Sequence, residues 1–142
     1  MANLSVNGLD ELMLSLQEIA SIPDDVAAAM LDAEAKVVEE YQVGSAATML
    51  QGRYSTGQTA MSVRRGKMKK GKDGARMVYV YPQGTNDKGE RNATVAFVNE
   101  YGVPRRGIPA RPFIATANAA AADPAVRAAE QIYDEFLKSK GL

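Results

Sequence analysis

The chain has 142 residues, 46% hydrophobic and 24% charged, which predicts one globular domain over residues 1–142. It contains no Cys and no His, so disulfides and thiolate chemistry are excluded, and the commonest general base and metal ligand are missing. We therefore expect a protein that is not an enzyme and binds no cofactor or metal. Neither a signal peptide pattern nor an apolar run of about 18 residues is visible, which predicts synthesis in the cytoplasm and no membrane span.

The net charge of zero hides an uneven distribution along the chain. Residues 1–50 carry nine acids and one base, residues 51–112 carry thirteen bases and four acids, and residues 113–142 carry three bases and four acids. The molecule could have an acidic and a basic face, through which copies associate heterologously and close into a ring. Alternatively, folding mixes both charges over one solvated surface. The sequence alone leaves both interpretations open.

Two helices are predicted in the first fifty residues. Leu9–Ala20 repeats apolar residues at helical spacing and ends before Pro23. Pro23 opens a second helix, the longest predicted element, which runs to about Ala47 or beyond and crosses Gly44. The apolar residues of this second helix recur every three or four positions and form one predicted stripe: Val26, Met30, Ala33, Val37 and Tyr41.

A turn, a short helix and a basic hairpin are predicted next. Gln51–Gly57 has the composition of a turn, and Gln58–Val63 fits a short helix that leads into a strand. The basic stretch Arg64–Arg76 holds seven bases, one acid and three glycines, without periodicity. It predicts a flexible hairpin tip whose turn lies at Lys72-Asp73-Gly74.

A strand, a loop and a short helix follow. Met77–Tyr81 is rich in β-forming residues and is predicted to be a strand that Pro82 ends. Gln83–Asn92 is predicted to be a second polar loop. Thr94–Tyr101 fits either an alternating strand or a short helix capped by Gly102, and we predict the helix.

The last part of the chain is predicted to be a rigid loop and a helix. The prolines between Pro104 and Pro112 exclude a regular helix and predict an extended, cationic loop. A helix is predicted from Pro112 to Ala122, with a break and restart at Asp123-Pro124. The fold class that follows is α+β, with N-terminal helices and a C-terminal helix packed on a small antiparallel sheet with long loops.

Two groups of residues are candidate contact sites. In the proline loop these are Arg105, Arg106 and Arg111, together with Phe113, which follows directly and could bury in the core to fix the height of the segment. Arg111 lies between Ala110 and Pro112 on a stiff segment, where its guanidinium could pair with carboxylates of a neighbouring subunit. The alternative is that Arg111 caps or pairs within its own chain.

The second group lies in the basic stretch and comprises candidate contacts to DNA or to an acidic partner: Arg64, Arg65, Lys67, Lys69, Lys70 and Lys72. Each base could neutralise a phosphate and release a counterion. However, no aromatic residues interleave the bases and no recognition module is visible, so a solvated hairpin tip is the alternative. We expect this stretch to be mobile in the isolated protein.

Five motifs occur in a fixed order along the chain: Thr56-Gly57, AMSV at Ala60–Val63, VYVYPQG at Val78–Gly84, RNATVAFVNEYG at Arg91–Gly102 and PARPFI at Pro109–Ile114. In this order the chain resembles the small tail-component proteins of the HK97-like siphophages, which are described as neck or tail-completion proteins. The resemblance covers about residues 45–120. The most distinctive combination is VAFVNEYG followed closely by PARPFI.

The resemblance implies a structural virion protein of the head–tail interface that forms a ring, expected to be hexameric, around the DNA channel. The implied partners are further copies of the chain and other neck and tail proteins, such as a head-closure protein, a tail terminator and the tail tube. DNA is a further candidate partner because it passes through the channel, and the proline loop becomes a candidate neck-layer contact. The alternatives are a nucleic-acid-binding accessory protein that uses residues 64–76, and a toxin or enzyme with chemistry that needs no His.

Overall fold

The computed structural model describes residues 22–52 and 56–141, and these residues form an α+β fold. The predicted fold class is confirmed. The described helices and strands are, in chain order, α1 (Asp24–Met49), α2 (Gln58–Ser62), β1 (Val63–Arg65), β2 (Lys69–Lys70), β3 (Arg76–Met77), β4 (Val80–Pro82), α3 (Asn92–Tyr101) and α4 (Phe113–Ser139). The predicted helix Leu9–Ala20 lies outside the described residues.

The long helix α1 forms as predicted. Pro23 stands just before its first residue, and the carbonyl of Pro23 accepts the first helical hydrogen bond, from the Ala27 N–H at 3.0 Å. Two acids, Asp24 and Asp25, occupy the first turn, where the unpaired N–H groups of a helix favour negative charge. The helix continues through Gly44 because its packing against α4 outweighs the propensity cost of one glycine.

α1 and α4 pack side by side in antiparallel directions. The Ser45 hydroxyl donates to the carbonyl of Phe113 at 2.8 Å, and the Gln42 amide donates to the Asn118 side chain at 3.0 Å. Later residues of α1 therefore lie beside earlier residues of α4. The buried positions of the two helices are mostly alanines, whose small side chains permit close packing of the helices: Ala27, Ala35, Ala46, Ala117, Ala121, Ala125 and Ala129.

The predicted apolar stripe of α1 is not the face that meets α4. Val26, Met30, Ala33 and Val37 are only half-buried, and Tyr41 is 38% exposed. We call this stripe the outer face of α1. The predicted stripe consisted of the larger apolar residues of α1. Alanines form the contact with α4 instead, because their small side chains let the two helix backbones approach each other.

α4 is continuous where the sequence predicted a break. Pro124 lies inside the helix, so the predicted restart at Asp123-Pro124 is wrong. A proline inside a helix removes one N–H donor, here the one that would pair with the carbonyl of Ala120. Ala121 and Ala125, on either side of Pro124, are both buried against α1, and this packing keeps the helix continuous.

The strands form two separate antiparallel ladders. β1 pairs with β4, so that Val63 lies opposite Pro82. β2 pairs with β3, so that Lys70 lies opposite Arg76. The turn between β2 and β3 contains Gly74 at φ 81°, which confirms the predicted position of the hairpin turn.

The predicted strand Met77–Tyr81 is divided between the two ladders. Met77 ends β3, Tyr81 lies in β4, and the residues between them connect the two. α3 confirms the predicted helix but starts two residues earlier than Thr94, and Gly102 follows it with φ 69°.

The core lies near the C-terminal end of α1, where residues of α2, α3 and the start of α4 pack against it. Phe113, the first residue of α4, has no exposed surface and contacts a group of small buried residues: Ala46, Ala60 and Ala96. Met49, Leu50 and Ile114 pack against this group. Each of the four helices thus contributes to one cluster.

Candidate functional site

The proline loop, defined here as residues 102–112, is held to α3 at its far end. The Arg111 N–H donates to the carbonyl of Asn99 at 2.6 Å, and the Arg111 guanidinium donates to the Asn99 side-chain oxygen at 2.7 Å. Within the loop, Val103 and Ile108 exchange two backbone hydrogen bonds of 2.9 and 3.1 Å. These bonds close the loop and fix its shape.

The loop begins with a contact that only glycine permits. Gly102 has φ 69°, and a Cβ built on it would stand 2.6 Å from the Ile108 carbonyl oxygen and 2.7 Å from the Ala110 nitrogen. The loop therefore folds back on the end of α3. It also contains a 3₁₀ turn at Pro104–Arg106, so it is less extended than the sequence predicted, although it contains no regular α-helix.

Arg111 serves its own chain in this structure. Besides Asn99, its guanidinium reaches the carbonyl oxygens of Met49 and Gln51, at 3.4 and 3.3 Å. These carbonyls lie at the end of α1, where helical partners are missing. Of the two roles considered for Arg111, the structure contains the intrachain one.

Phe113 does not lie on the surface. Its side chain is completely buried in the core, which corrects its assignment as a contact residue, because a side chain without exposed surface cannot meet another subunit. Arg105 and Arg106 are exposed, and no hydrogen bond or ion pair to another described residue is found for either side chain. They are the loop cations that remain available for a contact.

Glu100 is a functional side chain that no sequence pattern singled out. Its carboxylate is buried, with 8% of the residue exposed, and it accepts hydrogen bonds from the N–H groups of Ile114 at 2.8 Å and Ala115 at 2.9 Å. It thereby satisfies two free donors in the first turn of α4, where the helix dipole also favours a negative charge. The partners lie 14 and 15 positions away in sequence, so no local pattern indicates the contact.

The basic hairpin, defined here as residues 64–76, is tied to α1 by ion pairs. The Arg65 guanidinium lies 2.8 Å from the Asp32 carboxylate and 3.1 Å from that of Glu39. The hydrogen bonds to Asp32 and then Glu39 raise the pKa of Arg65. Nearer the hairpin tip, Asp24 pairs with Lys70 at 2.5 Å and with Arg76 at 3.0 Å.

These ion pairs explain part of the charge asymmetry. Acids of α1 face bases of the hairpin in the same chain, as expected if folding mixes the two charges. The pairs are partly exposed, and such pairs contribute little to the stability of a fold because solvent screens them. The mobility of the hairpin in the isolated protein stays a prediction, but an acidic partner for it is present within the chain.

The remaining hairpin candidates are more exposed. The Arg64 guanidinium donates to the carbonyls of Met61 and Val63, both at 2.7 Å. The Lys69 ammonium lies 5.8 Å from the centre of the Tyr79 ring. Lys67 and Lys72 are exposed. The hairpin thus keeps three exposed lysines beside its paired Arg65 and Lys70.

The tip of the basic hairpin and the proline loop lie at opposite ends of α1, whereas Arg65, at the base of the hairpin, pairs with Glu39 in the second half of the helix. The hairpin pairs with Asp24, Asp32 and Glu39, whereas Arg111 reaches the carbonyl of Met49. From Asp24 to Met49 a helix extends about 38 Å. The tip of the basic hairpin and the proline loop are therefore two separate surfaces.

A groove of about 1020 Å³ opens beside the proline loop, between the end of α1 and α3. Val43, Leu50 and Val98 give it an apolar floor, and Arg106 and Arg111 line it as well. Gly52 and Thr56 also line it, on either side of residues 53–55, which lie outside the described residues.

In residues 22–52 and 56–141, no three acids lie close enough together to hold a metal ion. None of the described helices combines the length and the apolar character needed to cross a membrane.

Comparison with known proteins gives no match to a family model, a curated protein or a solved structure. The resemblance to neck and tail-completion proteins therefore stays a prediction from the five ordered motifs.

Proposed function

We propose that this protein is a structural virion component of a tailed phage, a neck or tail-completion protein that joins head and tail as a ring around the DNA channel. The carrying observation is that the motifs of the resemblance form one packed unit. Four of them supply residues of low exposure: Ala60 and Val63, Pro82, Ala96 and Glu100, and Phe113. The remaining motif supplies Gly57, whose φ of 76° starts α2.

This packing supports the proposal for a physical reason. Motifs that a family shares commonly mark its packed core, and apolar residues of these motifs lie in the core of this chain. Here AMSV, RNATVAFVNEYG and PARPFI come from separate stretches and meet around Phe113. The surfaces around this core carry exposed arginines on a rigid loop, which suits lasting contacts between proteins.

Disruption of the gene in the phage that encodes it tests the proposal. We expect lysates with DNA-filled heads and separate tails in electron micrographs, and recovery of joined particles when the wild-type gene is supplied in trans. Normal yields of complete, infectious particles from the disrupted phage would reject the proposal.

One observation favours a second candidate, a nucleic-acid-binding accessory protein: Lys67, Lys69 and Lys72 remain exposed on the hairpin. If they bind phosphates, the logarithm of DNA affinity should fall with the logarithm of salt concentration by about 0.9 per duplex phosphate contact. Replacing all three by Gln should remove that slope. Binding that does not respond to salt or to these substitutions would exclude this candidate.

A further inference from the structure

We propose that the face of the two ladders that points away from α1 binds single-stranded nucleic acid, with phosphates on two cations and unpaired bases on two tyrosine rings. We call it the aromatic sheet face and define it by Arg64, Lys69, Tyr79 and Tyr81. The site does not depend on the proposed neck role, and it gives the second candidate function a defined ligand.

Strand alternation sorts the bases of the hairpin into two sets, because successive side chains of a strand point to opposite faces. Arg65 and the cross-strand pair of Lys70 and Arg76 point to α1, where acids neutralise them. Arg64 and Lys69, their neighbours in sequence, therefore point the other way. Both are exposed, and neither forms an ion pair with a carboxylate of residues 22–52 or 56–141. These two charges remain available for a ligand.

Two exposed tyrosines lie on the same face as these cations. Tyr81 is 45% exposed and stands directly opposite Arg64 across the ladder of β1 and β4, so their side chains point to one side. Tyr79 is 53% exposed, and the Lys69 ammonium lies 5.8 Å from the centre of its ring. The fold thus interleaves aromatic rings with cations, which the sequence of the basic stretch does not do by itself.

Hydrogen bonds within the chain orient two of these side chains. The Tyr79 hydroxyl donates to the Met77 sulfur at 3.1 Å. The Arg64 guanidinium donates to two backbone carbonyls at 2.7 Å, both through Nη1, so its remaining nitrogens can face a phosphate. Side chains that are placed in advance lose less conformational freedom on binding, which improves affinity.

The spacing of the rings favours a single strand over a duplex. The Gly66 N–H donates to the Tyr79 carbonyl at 2.9 Å, so the pairing of β1 with β4 extends to Tyr79. Side chains two positions apart on such a strand lie about 7 Å from each other. Bases of a duplex strand are stacked at about 3.4 Å, and their neighbours cover both ring faces. Tyr79 and Tyr81 therefore match two neighbouring bases of an unstacked strand, whose ring faces are free for stacking.

The charge of the face favours a nucleic acid over a protein. Arg64 and Lys69 complement the phosphates of a strand, on which every nucleotide carries a negative charge. Lysine, in contrast, is depleted at protein interfaces. Aromatic rings beside cations that follow the backbone are the arrangement by which proteins bind single strands without reading their sequence.

Fluorescence anisotropy with a labelled dT strand of about 20 nucleotides tests the proposal at low salt, with a duplex of the same length for comparison. The strand is longer than the about 4–16 nucleotides that one small single-strand-binding domain covers. We expect the full-length protein to bind the single strand at least about tenfold more tightly than the duplex.

Substitutions separate stacking from charge. Tyr79→Ser with Tyr81→Ser should weaken single-strand binding by at least about tenfold, whereas Tyr79→Phe with Tyr81→Phe keeps both rings and should bind within about twofold of the wild type. Arg64→Gln with Lys69→Gln should reduce the slope of log affinity against log salt by about 1.4, which is about 0.7 for each phosphate contact of a single strand. Tyr101→Ser removes an exposed ring from α3 and is the matched control, which should bind like the wild type. Circular dichroism melts confirm that each variant folds.

A second measurement needs no substitution. The NMR signals of the Tyr79 and Tyr81 rings should shift as the dT strand is added to the wild-type protein, and those of the Tyr101 ring should not. Absence of single-strand binding, equal or tighter binding of the duplex, or unshifted signals of the two rings would each overturn the site. Wild-type affinity of the Ser variant, or a Phe variant as weak as the Ser variant, would do the same.

Particle assembly enters none of these measurements. Failure of the binding tests therefore leaves the neck proposal intact. Complete particles from the disrupted phage would reject the neck role and leave the aromatic sheet face as a nucleic-acid site.

Discussion

Replacing Arg111 by Ala should destabilise the folded monomer. The substitution removes a 2.7 Å charged hydrogen bond to Asn99 and two longer contacts to the carbonyls of Met49 and Gln51. Hydrogen bonds that involve a charged group contribute about 1.5–3 kcal/mol, and partial exposure of the site lets water replace some of this. We expect a loss of about 1–3 kcal/mol, which lowers the thermal midpoint of a domain of this size by roughly 3–12 °C.

Arg105→Ala is the matched control, since it removes an exposed arginine from the same loop. Its effect should stay within about 0.5 kcal/mol. Urea unfolding followed by far-ultraviolet circular dichroism gives the free energy of unfolding of both variants, and thermal melts give their midpoints. If Arg111→Ala melts like the wild type and like Arg105→Ala, the role of Arg111 as a cap on α1 is refuted.

Three further predictions concern the loop, α4 and the hairpin. Gly102→Ala should lower the free energy of unfolding in urea by more than about 2 kcal/mol. The control is Gly107→Ala, which should cost clearly less, because Gly107 has the same φ of 69° but open space around it. Equal losses of stability in the two variants would contradict the close approach of Gly102 to Ile108. Glu100→Ala should cost about 1–3 kcal/mol by the same assay, because two N–H groups of α4 lose their partner, and an unchanged midpoint would argue against the cap. The hydrogen bond from Lys70 lowers the pKa of Asp24 below its ordinary value, so this ion pair should be intact at neutral pH and be lost as pH falls through the lowered pKa. Carboxyl carbon NMR shifts of Asp24 that titrate at the ordinary aspartate pKa or above would refute it.

The sequence by itself determined where most helices begin and end. α1 follows from apolar residues at helical spacing. The spacing in α3 fitted a strand as well as a helix, and Gly102 ends α3 through a backbone angle that few other residues adopt. The hairpin turn at Gly74 follows for the same reason. All these signals act between residues a few positions apart, so they are visible in the sequence. Together with the strand-rich middle of the chain, they also predicted the α+β class.

Tertiary structure decided which face of α1 is buried and whether the local signal for a helix break at Pro124 takes effect. The predicted apolar stripe of α1 is not its packing face, because Ala27, Ala35 and Ala46 on another side meet α4, where small residues allow the closest packing. Pro124 has the local chemistry of a helix start. The residues on both sides of Pro124 contact α1, and these contacts keep α4 continuous because they outweigh the loss of one hydrogen bond.

The roles of the charged residues also depended on the fold. Arg65 meets Asp32 and Glu39, which lie 33 and 26 positions away, and Arg111 meets the end of α1, 60 and 62 positions away. Charge counts along the chain revealed an acidic and a basic segment but could not tell whether these meet within one molecule. Electrostatic attraction depends on distance in space, which only the folded chain defines.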